Sequence, residues 1–296
     1  MNRIILFGRI DYKNKRSIHF ARAEYVRHAE TKAKHDLIFR PEDLFGEDAE
    51  AEIEGLSIEF ARKIHEASDK TLLNQFNALE VLLQFAIAGR VDFFVIEPGE
   101  PPRQETRLVR NDKSASFAYR AGREALDDGR PADAIAPLTD AIASYPGHAW
   151  ALDARADARL ALGDLAAAEE DYRAAKAAYP ALPNPHLGLA KIAHSRNQRA
   201  ATIDNCDAAM RNSIPHQPGY WISALYKAGV LLDVVERGDV SDDERRSYLL
   251  SAKTLLDRYD AKLRQLGSKL TDLYPDPTEL ERLRGRLAEV GEMEAA

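Results

Sequence analysis

Residues 122–146, GREALDDGRPADAIAPLTDAIASYP, and residues 156–180, ADARLALGDLAAAEEDYRAAKAAYP, decide the fold of this chain. Aligned 34 residues apart, they pair Gly122 with Ala156, Gly129 with Gly163, Ala134 with Ala168 and Leu138 with Tyr172. The same shift pairs Ala141 with Ala175, Tyr145 with Tyr179 and Pro146 with Pro180. A fixed period of this length marks stacked supersecondary units. Small residues fall where two helices must approach closely, and Leu138 and Tyr172 fill the space those residues leave. Gly129 and Gly163 each follow about two turns of apolar-periodic sequence, where glycine can take a positive φ and stop a helix. Pro146 and Pro180 end each second helix, because proline cannot continue the hydrogen-bond ladder. Tyr145 and Tyr179, beside those stops, are expected to pack across the boundary between units.

The pattern resembles the tetratricopeptide repeat (TPR), a helix-turn-helix unit that stacks into a solenoid. A further shift of 34 residues places Ala190 at the small position, Asn197 at the turn, Cys206 at the bulky position and Ala209 at the next small one. Thr202 stands where alanine is expected, and Pro215 arrives one residue late. The repeats therefore read as about 115–148, 149–182 and a worn third at 183–216. Beyond them, helical periodicity continues without the spacing. Trp221, Leu225, Ala228, Leu232 and Val235 mark a helix over 218–236. Ser241 followed by Asp242, Asp243 and Glu244 opens another over 241–266, which Gly267 stops. Leu280, Leu283, Leu287 and Val290 give a last helix over 278–290. These helices would supply the polar-faced terminal unit that a solenoid needs.

The N-terminal part reads differently. Residues 98–113 carry three prolines and many charges, a linker composition. They separate a module at 1–97, of no recognised family, from the solenoid at 114–296. In the module, residues 3–7 and 91–96 read as strands that pair with each other. A helix over about 49–66 is expected from Ile53, Leu56, Phe60 and Ile64. A second, over about 70–88, is capped by Ser68 and terminated by Gly89. Residues 16–33 fit a helix through Ile18, Ala21, Tyr25 and Ala29, and fit a hairpin strand less well. The expected fold is thus mainly α: a TPR solenoid with C-terminal capping helices, preceded by a small α+β module.

Composition bounds the function. Of the 296 residues 45% are hydrophobic and 30% charged, which suits a protein with a real core and a solvated surface. A net charge of −7 argues against bulk nucleic-acid binding. The single cysteine excludes an internal disulfide. No run approaches the length of a membrane span, and the early charge at Arg3 does not suit a signal peptide. The expectation is a cytoplasmic protein, bacterial from its Ala/Arg-rich repeats, with no membrane contact.

Resemblance to the TPR family implies a concave groove made by the first helix of each unit, and a peptide or partner protein bound there. Carried over by phase, the groove residues are Ser116, Tyr119, Arg123 and Leu126, then Trp150, Asp153, Asp157 and Leu160. Asn184, Leu187, Lys191 and His194 follow. An exposed Trp150 among polar groups would suit a binding hot spot; the plainer reading packs it at a unit boundary. Family members that clamp a chaperone's C-terminal carboxylate use Lys and Asn at inner positions held here by Tyr119, Arg123, Asp153 and Asp157. The two acids would repel a carboxylate, so a basic or mixed-charge ligand is expected. Self-association is a further expectation for such an array.

Residues 1–40 carry a net charge of +6 and residues 41–112 a net charge of −9. Arg9, Lys13, Lys15, Arg16, Arg22 and Arg27 are interleaved with Tyr12, Phe20 and Tyr25, which could form a phosphate-tracking surface with stacking platforms. The plainer reading is two oppositely charged halves facing each other within one module. The eight histidines show no metal-site spacing, and no phosphate loop, nucleophile elbow or CxxC is present. Cys206 reads as core, and no cofactor is expected. Three readings stand: a scaffold or adaptor using the groove, a nucleic-acid-associated protein using residues 9–27, and an enzyme with an unrecognised site in the module.

Overall fold

The computed structural model describes residues 1–46, 55–97, 103–109, 114–215, 217–238, 240–267 and 274–292. The chain forms two compact units, Met1–His148 and Ala149–Ala296. Its architecture is mainly α-helical, a solenoid-like succession of helix hairpins preceded by a small antiparallel sheet.

The first unit opens with strand β1 (Asn2–Asp11), helix α1 (Lys15–Thr31) and the short α2 (Pro41–Phe45). Strand β2 (Ser57–Ala67), helix α3 (Asp69–Phe85) and strands β3 (Ala88–Ile96) and β4 (Arg103–Leu108) follow. The sheet order is β2-β1-β3-β4, every neighbouring pair antiparallel. β2 and β3 therefore run parallel on either side of β1, joined by α3. As expected, β1 and β3 pair, with Arg3 opposite Ile96 and Asp11 opposite Ala88. Ile4, Leu6 and Ile10 of β1 and Val91, Phe93 and Val95 of β3 pack with Ile18, Tyr25, Leu79 and Leu82 into one core. Gln75, fully buried on α3, donates to Tyr25 Oη at 3.2 Å and accepts from the Phe39 amide at 2.9 Å. Those bonds satisfy the buried amide as burial demands.

Three expectations for this region change. The helix expected over 49–66 is strand β2 from Ser57 onward, and Ile53 lies outside the described residues. The real period is two: Ile58 and Phe60 are buried and Glu59 is exposed between them. Leu56 and Ile64, which completed the helical stripe, face outward at 37% and 57% exposure. The helix over 70–88 stops at Phe85, and Gly89 belongs to β3. Within the expected linker, Arg103–Leu108 is β4, because the open edge of β3 supplies a backbone ladder that its charged sequence does not forbid. The 98–113 boundary is also not where the compact units divide.

The helices of the repeats are α4 (Ser114–Asp127), α5 (Pro131–Ser144), α6 (Ala149–Ala161), α7 (Leu165–Ala178), α8 (Asn184–Ser195) and α9 (Arg199–Arg211). Residues at equivalent phase share one environment. Ala134, Leu138 and Ala141, then Ala168, Tyr172 and Ala175, are fully buried. So are Cys206 and Ala209, with Thr202 at 1%. Gly129, Gly163 and Asn197 all adopt left-handed backbone, φ 72°, 83° and 57°. Asparagine is the residue besides glycine that enters this region readily, so the worn third unit keeps its turn. Tyr145 and Tyr179 are extended, with φ −147° and −143°. A residue before proline is driven from the helical region, which ends α5 and α7 one residue earlier. Tyr179 packs on Trp150 with ring centroids 5.5 Å apart, and Tyr145 on His148 at 6.3 Å.

The second unit continues with α10 (Pro218–Arg237), α11 (Asp242–Leu266) and α12 (Pro277–Glu292). At the expected helix start Ser241 and Glu244 form a capping box. Trp221 packs against Tyr259 with tilted rings whose centroids lie 5.4 Å apart, and donates its indole N–H to the Pro215 carbonyl at 2.9 Å. Leu280 and Leu283 of α12 close the same core. One buried group is poorly accommodated. His186, 5% exposed, has among the described residues no hydrogen-bond partner of good geometry on either ring nitrogen, the Pro180 carbonyl offering only a weak one. Burial, then Lys176, holds its pKa below the usual value. One repeat earlier the position is Leu152, also buried. His186→Leu is expected to raise stability by about 1–2 kcal/mol in urea unfolding; a loss would show that the imidazole makes a bond the fold depends on.

Candidate partner-binding surface

In the second unit, α6 and α8 are the first helices of consecutive hairpins. Asp153 and Asp157 stand one turn apart on α6, both half-buried. Asn184, at the start of α8, donates its side-chain amide to Asp153 Oδ1 at 2.9 Å and to Asp157 Oδ2 at 3.1 Å. Tyr172 of α7 donates its hydroxyl to Asp157 Oδ1 at 2.6 Å. Burial first, and Asp157 second, raise the Tyr172 pKa, so the phenol stays a donor. Two carboxylates at this spacing repel each other; the amide and the phenol offset that cost and set their orientation. The result is a pair of carboxylates held in fixed orientation where the two first helices meet.

A second polar bridge lies further along. His194 of α8 contacts Asp233 of α10 at 3.1 Å. Arg286 of α12 reaches the other oxygen of Asp233 at 2.5 Å and Glu236 at 2.8 Å. Asp233 and Arg286 were not expected at the surface, since both lie beyond the 34-residue pattern that supplied the phase. Lys191 is exposed beside them on α8.

Several expected groove residues are placed elsewhere. Trp150 is only 5% exposed and packs on Tyr179, so it is a packing residue and not an exposed anchor. Leu187 is buried. In the first unit, Tyr119 is buried against His148 at 4.8 Å, and Ser116 is buried, donating to the Val109 carbonyl. Arg123 is partly exposed and pairs with Asp127 at 2.8 Å. The 34-residue phase assigns these positions to first helices but carries no information about the side chains that cover them, such as Tyr179 over Trp150 and His148 against Tyr119.

The basic segment is divided. Arg9 donates to Asp11 at 2.6 Å, Ser57 at 2.9 Å and Glu59 at 3.2 Å, and bonds Tyr145. Burial nevertheless holds the Asp11 pKa above the usual value, against the opposing effects of Ser57 and Arg9. Arg90 repeats the arrangement one strand away, bonding Asp92 at 2.8 and 2.9 Å. Arg9 and Arg90 stand directly opposite in the sheet. Like charges there destabilise, and each arginine is neutralised by the aspartate two residues on. The echo of Arg-Ile-Asp at 9–11 in Arg-Val-Asp at 90–92 was the legible sign of this network. Arg22 is buried over the Phe45 ring, and Arg27 pairs with Glu24. Tyr12 and Tyr25 are core residues, not stacking platforms. Lys13, Lys15 and Arg16 remain exposed, with Arg16 5.6 Å from the ring of the half-exposed Phe20.

Cys206 is buried and its thiol is pushed up to about 12, chiefly by burial, so it is held protonated at the core position expected for it. Among the described residues no cluster of three or more His, Cys, Asp or Glu could hold a metal ion. No helix among them is long and apolar enough to cross a membrane.

No protein-family model matches the chain, and no curated protein does. Among solved structures, those of MamA are similar to part of the chain. One, described as a crystal structure of MamA, is 17% identical, with a TM-score of 0.43 over 51% of this chain and 81% of its own. A second MamA crystal structure is 13% identical, with a TM-score of 0.40 over 62% of this chain and 94% of its own. A third, MamA 41-end from Desulfovibrio magneticus RS-1, is 14% identical, with a TM-score of 0.39 over 62% and 97%.

Proposed function

We propose that this protein is an interaction scaffold that holds a partner polypeptide and carries out no chemistry of its own. The observation behind this reading is the acid pair Asp153–Asp157, cross-linked by Asn184 between consecutive first helices. A surface with oriented carboxylates suits a basic side chain on an extended or helical partner segment, because charge-assisted hydrogen bonds are the strong ones. It does not suit a C-terminal carboxylate. Burial of Tyr12 and Tyr25 and the pairing of Arg9 and Arg27 leave the nucleic-acid reading with Lys13, Lys15, Arg16 and Phe20 alone.

The test uses the full chain. Partners are isolated on immobilised protein, identified by mass spectrometry, purified and titrated. Asp153→Lys is expected to weaken a true partner by about tenfold to a hundredfold, with unchanged circular dichroism. Increased salt should weaken the parent complex and matter less to the variant. Partners that bind Asp153→Lys as tightly as the parent would remove this surface from consideration.

A further inference from the structure

The opposite side of α8 carries a second, unrelated feature. At about 100° per residue, Leu189, Ala193 and Arg196 lie across the helix from Leu187, Lys191 and His194. There α7, α8 and α9 enclose a groove of about 250 Å³. At its base Ile192 and Ala193 are buried and Leu189 is half-buried, and Gln198 and Asn205 add polar groups to the lining. Its rim is basic. Arg173 and Arg196 share one carboxylate, Glu169, each at 2.5 Å. Lys176, exposed on the same rim, has no ion pair among the described residues. One acid among three cations leaves a local surplus of positive charge, on a chain whose net charge is −7.

We propose that this groove is a docking site for an acidic segment of a partner protein. A single large apolar side chain would fill the floor, and flanking Asp or Glu residues would meet Arg173, Lys176 and Arg196. The half-buried Leu189 gives an apolar anchor a place to pack, and the cationic rim supplies most of the attraction, orientation and selection against basic segments. Glu169 keeps both arginine forks in place until a ligand carboxylate competes for them. Nothing in this site depends on Asp153 or Asp157, so the scaffold could hold a basic segment on one side of α8 and an acidic one on the other.

A random-peptide display library selected against the intact chain tests the proposal, with synthetic peptides of the enriched sequences titrated by fluorescence anisotropy. The expected consensus is one aromatic or leucine residue flanked by acids. Lys176→Glu together with Arg173→Glu should weaken these peptides by about tenfold or more, whereas Asp153→Lys should leave them unchanged. Replacing the peptide acids by their amides should cost a similar factor. Both altered side chains are exposed, so the variant is expected to fold, with circular dichroism as the check. Absence of acidic peptides from the selection, or binding indifferent to the charge reversal, would overturn the proposal. So would concentration-dependent self-association, in sedimentation velocity, that disappears on the same reversal, since the occupant would then be a second copy.

Discussion

Gly188→Ala is expected to destabilise the second unit by about 2 kcal/mol, although alanine in a helix ordinarily gains about 1 kcal/mol over glycine. A β-carbon built on Gly188 would lie 2.2, 2.4 and 2.6 Å from three ring carbons of Tyr172. Tyr172 cannot give way. It is fully buried, and its hydroxyl is tied to Asp157 at 2.6 Å. Overpacking of this kind costs about 1–3 kcal/mol or more and outweighs the propensity gain. The double variant Gly188→Ala with Tyr172→Leu should recover part of the loss, because Leu138 fills the same phase position one repeat earlier. A double-mutant cycle in urea would then show coupling between the two sites. A stabilising Gly188→Ala would mean that α7 and α8 do not approach this closely. Displacing Tyr172 should also disturb Asp157, so partner binding should weaken with stability.

Acid should destabilise the first unit by about 3 kcal/mol between pH 6.5 and pH 4 through one residue, His148. The imidazole is 2% exposed, packed between Tyr119 and Tyr145, and burial pushes its pKa down to about 4 from 6.5. The folded-state pKa lies below the unfolded one. The contribution is therefore intact above pH 6.5 and is lost as the pH falls from there to about 4, because only the unfolded chain gains the proton. Near pH 4 the full difference of about 3 kcal/mol is reached. His148→Leu removes the titrating group and places leucine where the next repeat has the buried Leu182. Urea unfolding of parent and variant at neutral pH and near pH 4 makes the comparison. The difference between them isolates His148 from the carboxylates that titrate in the same range. Parallel stability profiles would show that His148 is accessible to protons in the folded state.

Much of the helical part was legible because its signals are local and repeat. Gly129 and Gly163 were expected to enter the left-handed region and do; Asn197 keeps the same geometry where the rest of its unit has worn. The proline stops, the Ser241 box and the α12 stripe needed no knowledge of distant contacts. The sheet was legible only in part. β1 and β3 announce themselves by composition, whereas β2 and β4 depend on a neighbour. Phe60 and Ile64 fit a helical stripe until the sheet decides that Ile64 faces outward. Arg103–Leu108 has no apolar alternation and becomes a strand because β3 offers its edge.

For the candidate surface the division falls in the same place. Phase alone put Asp153, Asp157 and Asn184 on first helices of adjacent units, and their contact follows from stacking at a fixed period. Phase could not show that Trp150 is covered, since its cover comes from Tyr179 at the far end of the hairpin. Nor could it reveal the partnership of His194 with Asp233 and Arg286, which joins three helices across about ninety residues. By itself, then, the amino-acid order determined the helix hairpins, their turns and their buried stripe, because short-range sterics and periodic burial act within each unit. Tertiary structure alone decided which charges are neutralised, which aromatics are covered and where an acidic or basic face is left to solvent. Those outcomes depend on side chains remote in sequence meeting at low dielectric, where pairing or exposure changes the energy most.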